Sequence, residues 1–134
     1  ATVIHFKSSI MKFMADSSNV VLVDMNKDIA EVMQILAKLL KKNKNIAIFP
    51  EGTRTRDGKI DKFKKSFAIL AKELNVDIQP YVIDGAYELF PAGKKFPRPG
   101  KITIEFLDKI KVDNLTYDEI VNEAYSIIKN KIED

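Results

Sequence analysis

Two short apolar runs separated by an amphipathic stretch set the strongest limit on the fold. The first run lies within residues 19–24, where four consecutive aliphatic residues occur, and the second is residues 46–49. Between them, residues 28–42 place apolar side chains three and four positions apart, as on one face of a helix. A helix between two buried strands predicts a right-handed parallel crossover, because parallel neighbours need a long connection.

The rest of the sequence continues this alternation of helix and strand patterns. Apolar residues at helical spacing recur between residues 63 and 74, and strand-like runs occupy residues 78–83 and 102–107. A final helix is predicted at residues 116–132, opened by a capping box of Thr116 and Glu119. We therefore expect an α/β fold in one domain, residues 1–134, with a mostly parallel central sheet and helices on its faces.

Composition excludes several classes of site. The 134 residues contain no cysteine, so a disulfide, a thiolate metal site and a cysteine nucleophile are all excluded. A single histidine, His5, excludes a metal site built from several histidines. No apolar run is long enough to suggest a membrane span, so we expect any membrane contact to be peripheral. We expect neither a metal nor a cofactor.

Charge patterning favours anionic partners, although the net charge of +3 is small. Nucleic acid is not an expected partner, because aromatic residues are not interleaved with the basic ones in a recognition pattern. The basic residues form three local clusters, which are Lys41, Lys42 and Lys44, then Lys59, Lys62, Lys64 and Lys65, and finally Lys94, Lys95, Arg98 and Lys101.

The segment that follows the second apolar run combines the groups needed to bind an alcohol phosphate. Residues 49–54 read Phe-Pro-Glu-Gly-Thr-Arg. The Arg54 guanidinium can bind a phosphate through two parallel N–H···O bonds, and the Glu51 carboxylate can accept a bond from a hydroxyl. Gly52 allows a ligand to approach the backbone. Because open α/β sheets bind ligands at the carboxyl ends of their strands, we predict a phosphate site here.

Residues 49–54 also resemble the third signature block of the glycerolipid acyltransferases, a family that includes glycerol-3-phosphate and lysophosphatidate acyltransferases. Similar segments follow in the expected order, at residues 63–65, at the proline-containing run 78–83 and at residues 85–87. The resemblance covers about residues 19–110. Residues 85–102 look like acyltransferase domains that are fused to acyl-CoA or acyl-carrier-protein synthetases.

The resemblance implies roles for individual residues of the block. Glu51 would hold the glycerol hydroxyl of the acyl acceptor and Arg54 its phosphate, with Gly52 and Thr53 completing the acceptor site. Lys64 and Lys65 either add positive charge to that site or are solvated lysines on a helix face.

A second block of the family resembles residues 20–25, and it places Asp24 in the acceptor site. Met25 stands where the family normally has an arginine. Loss of one charge-assisted hydrogen bond weakens binding by roughly tenfold to a hundredfold. The substitution therefore favours an acceptor without a free phosphate monoester, such as a lysophospholipid.

The family's catalytic block, a histidine with an aspartate five residues later, is not matched in this sequence. The fifth residue after His5 is Ile10, so we interpret His5 as structural. The resemblance implies that residues 1–134 are the carboxyl-terminal part of an incomplete acyltransferase domain. We expect this part to contain no catalytic residue and to be inactive alone.

For the complete protein, the resemblance implies acyl transfer from acyl-CoA or acyl-carrier protein to a hydroxyl of a glycerophosphate or lysophospholipid, in phospholipid synthesis or remodelling. A fused or associated acyl-activating domain is a possible partner. The expected location is cytoplasmic and peripheral, at the inner face of the membrane. The alternative is a non-catalytic module that binds phosphate or anionic lipid.

Overall fold

A computed structural model describes residues 29–53, 55–91 and 93–133 of the chain. The chain divides into two compact units, residues 1–49 and residues 50–134. The strand predicted within residues 19–24 lies outside the described residues.

In the first unit, the described residues form one helix, α1, which spans Ile29–Lys41. Leu36, on its apolar stripe, is 2% exposed. The helix ends with Asn43 in the left-handed conformation, φ 53°, and the Lys44 N–H donates to the Leu39 carbonyl at 3.1 Å. Asparagine tolerates this conformation better than most residues, so it can stop a helix. The predicted helix is confirmed, and Asn43 ends it.

The strand predicted at residues 46–49 is wrong. Residues 44–49 form neither helix nor strand in the structure. An apolar run becomes a strand only when its backbone pairs with a neighbour, and a short run carries no information about that partner. Within residues 29–53, 55–91 and 93–133, the structure contains one two-stranded antiparallel sheet.

That sheet belongs to the second unit and consists of β1, Tyr81–Asp84, and β2, Thr103–Phe106. The two strands are antiparallel, with Tyr81 opposite Phe106 and Asp84 opposite Thr103. Pro80 immediately precedes β1, and its carbonyl accepts a hydrogen bond from the Leu107 N–H at 3.0 Å. Proline has no N–H to give to a ladder, which explains why Pro80 stands just before the strand and not within it.

The core of the second unit forms where helices α2 and α4 pack together. Helix α2 spans Ser66–Glu73, and α4 spans Tyr117–Glu133 and also contacts β1. Both helices were predicted from their apolar spacing. The buried apolar side chains of this unit are Phe67, Ala68, Leu70, Ile110, Val112, Ile120 and Ala124.

The predicted capping box at the start of α4 is confirmed. The Thr116 N–H donates to Oε2 of Glu119 at 2.7 Å, and the Glu119 N–H donates to Oγ1 of Thr116 at 3.3 Å. Each side chain thus satisfies a backbone N–H that the helix leaves without an internal partner.

A single helical turn, α3, spans Ala86–Leu89 and begins the long loop between the strands. Gly85 precedes it with φ 83°, and a Cβ at that position would come well inside 3.0 Å of the Lys101 carbonyl oxygen. We name residues 90–102 the proline loop; Ala92 within it lies outside the described residues. The Arg98 N–H donates to the Leu89 carbonyl at 2.8 Å, so the loop folds back onto α3.

Candidate functional site

Residues 50–53 form a turn at the start of the second unit, and the following segment folds back over it. The Lys64 N–H donates to the Pro50 carbonyl at 2.8 Å, and the Asp61 N–H donates to Oε2 of Glu51 at 2.8 Å. Glu51 is half-buried, whereas Gly52 is exposed. The Glu51 side chain is therefore held by one backbone hydrogen bond from the returning segment, and a second bond from that segment holds the turn itself.

The Lys64 side chain lies across the backbone of Gly52. Gly52 has φ 73°, and a Cβ at this position would be 2.6 Å from Nζ of Lys64 and 2.9 Å from its Cε. Such separations are too short for a real side chain, so with any other residue at this position the flexible end of Lys64 would have to shift. The structure thus places a cation directly beside the turn that carries Glu51.

Phe63 fixes the position of the chain just before Lys64. Its ring lies 5.2 Å from that of Tyr125 on α4 and 6.2 Å from that of Phe67 on α2, both in edge-to-face geometry. Aromatic pairs of this kind add about 0.5–1.5 kcal/mol beyond the burial of their surface. The lysine beside the motif is therefore attached to a residue anchored in the core.

Lys65, by contrast, does not share the position of Lys64. Its Nζ forms an ion pair with Oδ1 of Asp118 on α4 at 2.7 Å. Both side chains are largely exposed, so this pair contributes little to stability. Of the two lysines that the sequence placed in the site, the structure brings only Lys64 to the motif.

A hydrogen-bonded turn follows the motif. The Asp57 carboxylate accepts bonds from the Lys59 N–H at 3.1 Å and from Oγ1 of Thr55 at 3.3 Å. The Lys59 N–H is the main reason that the pKa of the Asp57 carboxyl is below its usual value. These bonds hold residues 55–59 in a turn.

Tyr87 on α3 holds the same turn against the rest of the second unit. Its hydroxyl donates to the Arg56 carbonyl at 2.9 Å. A Cβ on Gly58 would be 3.3 Å from the Tyr87 ring, so the ring packs directly over this glycine. In the sequence, Tyr87 stands out only as part of a resemblance, because its partners lie about thirty residues away and no local pattern indicates them.

The structure therefore brings Glu51, Gly52 and Lys64 together, with Thr53 in the same turn. Arg54 and Asp24, also predicted in the acceptor site, lie outside the described residues. Within the described part of the chain, no group of three or more histidine, cysteine, aspartate or glutamate residues could hold a metal ion.

Comparison with known families identifies the fold to which this site belongs. The family model described as "Acyltransferase" matches residues 1–84, well over half of the chain. The chain belongs to this acyltransferase family. The match starts before residue 19, so the similarity extends further toward the amino terminus than the sequence motifs indicated.

Individual acyltransferase relatives narrow the family to the glycerolipid acyltransferases, as the sequence motifs predicted. The chain is 35% identical over 92 residues to a 1-acyl-sn-glycerol-3-phosphate acyltransferase of Limnanthes douglasii, an alignment that covers 69% of this chain and 33% of that protein. It is 33% identical over 79 residues to the human 1-acyl-sn-glycerol-3-phosphate acyltransferase beta, covering 59% of this chain and 28% of that protein. The chain thus spans about a third of the length of these curated acyltransferases.

A solved acyltransferase structure supports the same assignment. The crystal structure of the 1-acyl-sn-glycerophosphate acyltransferase PlsC from Thermotoga maritima matches with a TM-score of 0.77 and 26% identity. The match covers 95% of this chain and 52% of that one. At the level of the overall fold, the expected acyltransferase architecture is confirmed.

Proposed function

We propose that the protein to which this acyltransferase chain belongs transfers an acyl group from a thioester to a hydroxyl of a glycerophosphate or lysophospholipid in phospholipid synthesis or remodelling. The proposal rests on one observation above all. The Glu51 carboxylate belongs to an exposed glycine turn beside which the Lys64 ammonium lies, in a chain whose relatives are named 1-acyl-sn-glycerol-3-phosphate acyltransferases.

In this proposal, the motif binds the acyl acceptor. The Glu51 carboxylate accepts one backbone bond at Oε2, and a carboxylate has about four acceptor positions, so it can also accept the acceptor hydroxyl. Lys64 supplies a point charge for the phosphate, and Arg54 supplies a bidentate contact. Gly52 lets the acceptor approach the backbone, while Thr53 and Asp24 complete the polar surroundings.

The proposed acyl transfer needs a general base to deprotonate the acceptor hydroxyl. Positioned base catalysis contributes roughly a hundred- to ten-thousandfold in rate. His5 has Ile10 in the place of the required aspartate, so we assign the base to residues beyond these 134. Residues 1–134 alone are then expected to bind acceptor without turning it over.

The proposal includes the donor, the partners and the location. Acyl-CoA or acyl-carrier protein would supply the thioester, without a further cofactor, and an acyl-activating domain would be fused or associated. The protein would act at the cytoplasmic face of the membrane as a peripheral enzyme. No helix among residues 29–53, 55–91 and 93–133 is long and apolar enough to cross a bilayer. The complete domain would have a mostly parallel central sheet with helices on its faces.

Acyl-transfer kinetics of the full-length protein test the assigned acceptor site. Arg54→Ala and Lys64→Ala should each raise KM for lysophosphatidate roughly tenfold or more, the effect of losing one charge-assisted bond. Lys65→Ala is the matched control, because its ammonium is paired with Asp118, and it should change KM less than twofold. Equal KM values for all three variants and the wild type would reject the assignment.

The same assay separates the enzyme from a binding module. Thioester consumption by the full-length protein, with none by residues 1–134, supports the proposal. Equal turnover by both would show that the base lies within this chain. Acceptor binding that depends on Arg54, without turnover by the full-length protein, would instead identify a non-catalytic phosphate- or lipid-binding module.

A further inference from the structure

The proline loop concentrates positive charge in one short segment. Residues 89–102 contain no aspartate or glutamate. They carry four basic side chains, all exposed, which are Lys94, Lys95, Arg98 and Lys101. A cluster of this size with no compensating acid creates a local positive potential that attracts an anionic surface.

Apolar side chains are exposed within the same loop. Phe96, which directly follows the two lysines, is 81% exposed, the highest value among the exposed large apolar residues of the described chain. Ile102, at the other end of the loop, is 53% exposed. An exposed phenyl ring beside lysines and an arginine is typical of segments that lie in a membrane interface, with the ring below the headgroups and the charges among them.

Hydrogen bonds and close packing restrict the backbone conformation of the proline loop. The Arg98 N–H donates to the Leu89 carbonyl at 2.8 Å, and the Lys94 N–H donates to the Pro91 carbonyl at 3.2 Å. Gly100 approaches the Leu89 side chain so closely that a Cβ would overlap it. Prolines at positions 97 and 99 restrict the backbone further. Little ordering is therefore needed when the loop meets a partner.

An apolar cavity beside the proline loop is large enough to hold part of a hydrocarbon chain. An open cavity of about 490 Å³ lies between α3 and the loop, with mainly apolar walls. Its lining includes Leu89, Phe90, Pro97, Pro99 and Ile102, with Arg98 at the same site. An acyl chain from the bilayer fits such walls, and its anionic headgroup fits the guanidinium.

We propose that the proline loop is the surface by which this protein docks on an anionic lipid bilayer, with Phe96 inserted among the lipids and the four basic residues against their headgroups. The inference rests on the proposed function, because it names the membrane contact of an enzyme that acts on lipids. A bilayer is the partner that fits this loop, because positive charge and exposed apolar surface coincide in it. On the exposed face of β2, by contrast, Phe106 has the acidic Glu105 and Asp108 close by in sequence.

Vesicle co-sedimentation of the full-length protein tests the charge contribution. On vesicles of phosphatidylcholine with one third phosphatidylglycerol, Lys94→Gln combined with Lys95→Gln should lower the partition coefficient about 25-fold, roughly fivefold for each lysine. The matched control combines Lys109→Gln with Lys111→Gln, two exposed lysines outside the loop, and should change it less than threefold. Equal losses in both pairs would overturn the proposal.

Fluorescence tests insertion directly. These 134 residues contain no tryptophan, so Phe96→Trp adds a local reporter that is read as a difference from the wild type. The added emission should shift to shorter wavelength on the anionic vesicles and be quenched by brominated lipid. Phe106→Trp, at another highly exposed phenylalanine, is the control and should do neither. An unchanged Phe96→Trp emission in vesicle-bound protein would overturn the proposal.

Two further results distinguish this inference from its rivals. A blue shift of Phe96→Trp without lipid, growing with protein concentration, would show that a second copy covers the loop and would overturn the proposal. Acyl transfer to a water-soluble short-chain acceptor reports on the proposed function alone. If that activity is retained while the loop fails to insert, the docking surface is rejected and the proposed function stands.

Discussion

The backbone N–H of Asp61 donates a 2.8 Å hydrogen bond to Oε2 of Glu51. One oxygen of Glu51 is therefore already hydrogen-bonded within the protein, where it holds residue 61 against the motif turn. Together with the bond from the Lys64 N–H to the Pro50 carbonyl, it closes the segment that carries Lys64 over the motif turn. A substitution at position 51 is consequently expected to affect both the local structure and the proposed ligand site, and the two effects are separable by the choice of variant.

We expect Glu51→Gln to raise KM for the acyl acceptor while leaving stability almost unchanged. The amide oxygen can still accept from the Asp61 N–H, whereas the negative charge offered to the acceptor hydroxyl is lost. Glu51→Ala should in addition lower the free energy of unfolding by about 0.5–1.5 kcal/mol, the usual contribution of one hydrogen bond. Acyl-transfer kinetics and urea unfolding measure the two effects, and normal kinetics for Glu51→Gln would show that the residue is purely structural.

Gly52→Ala should act on the acceptor site through Lys64. The new methyl group would occupy the space of the Lys64 side chain, and alanine at φ 73° costs about 1–2 kcal/mol. We expect KM for the acceptor to rise, but by less than in Lys64→Ala, because the flexible end of the lysine is displaced from the turn and its charge is kept. The double variant tests this coupling. A KM effect equal to the product of the two single effects would show that the residues act independently.

Two glycines of the second unit provide a matched comparison of backbone crowding. Gly85 and Gly93 both have positive φ, 83° and 89°, but only Gly85 has a neighbour that a Cβ would strike, the Lys101 carbonyl. Gly93→Ala should cost about 1–2 kcal/mol from its φ alone. Gly85→Ala should cost at least about 1 kcal/mol more, because backbone must move as well. Denaturant unfolding gives both values, and equal costs would contradict the close approach.

The capping box predicts a pH dependence of stability. Hydrogen bonds from the Thr116 N–H, the larger cause, and from the Thr116 side chain hold the pKa of the Glu119 carboxyl below 4.5. A carboxyl with a lowered pKa in the folded state stabilises the fold above its unfolded pKa, and this contribution disappears as the pH falls through the folded pKa. Wild-type protein should therefore exceed Glu119→Gln in urea midpoint at pH 7, and the gap should narrow below pH 4.5. A constant gap across that range would contradict this role.

The helices were predictable from the sequence because their signals are local. Apolar spacing indicated α1, α2 and α4, and the Thr116–Glu119 pair marked the start of α4 correctly; Asn43, which ends α1, is a signal of the same local kind. Each of these signals acts within one or two turns of its own residue. The strand expected at residues 46–49 failed because a strand depends on a partner that the run itself does not specify.

The candidate site was predictable in its residues but not in its arrangement. The glycine turn and its glutamate stand together as the motif indicated, yet Lys64 and Lys65, identical in sequence terms, separate toward Gly52 and Asp118. Which lysine faces the motif is decided by Phe63, whose ring is fixed by partners on α2 and α4. The contact with Tyr125 joins residues far apart in the sequence, so no local sequence pattern indicates it.

Helix α3 contacts both the segment after the proposed acceptor motif and the proposed docking loop. Tyr87 on this single turn holds the Arg56 carbonyl, two residues beyond Arg54, while Leu89 at its end receives the Arg98 N–H of the proline loop. A small rotation of α3 would therefore move both the segment that follows the proposed acceptor motif and the proline loop. If α3 couples the two proposed sites, the enzyme would show interfacial activation. It would turn over faster on a charged bilayer than on the same acceptor dispersed as monomers.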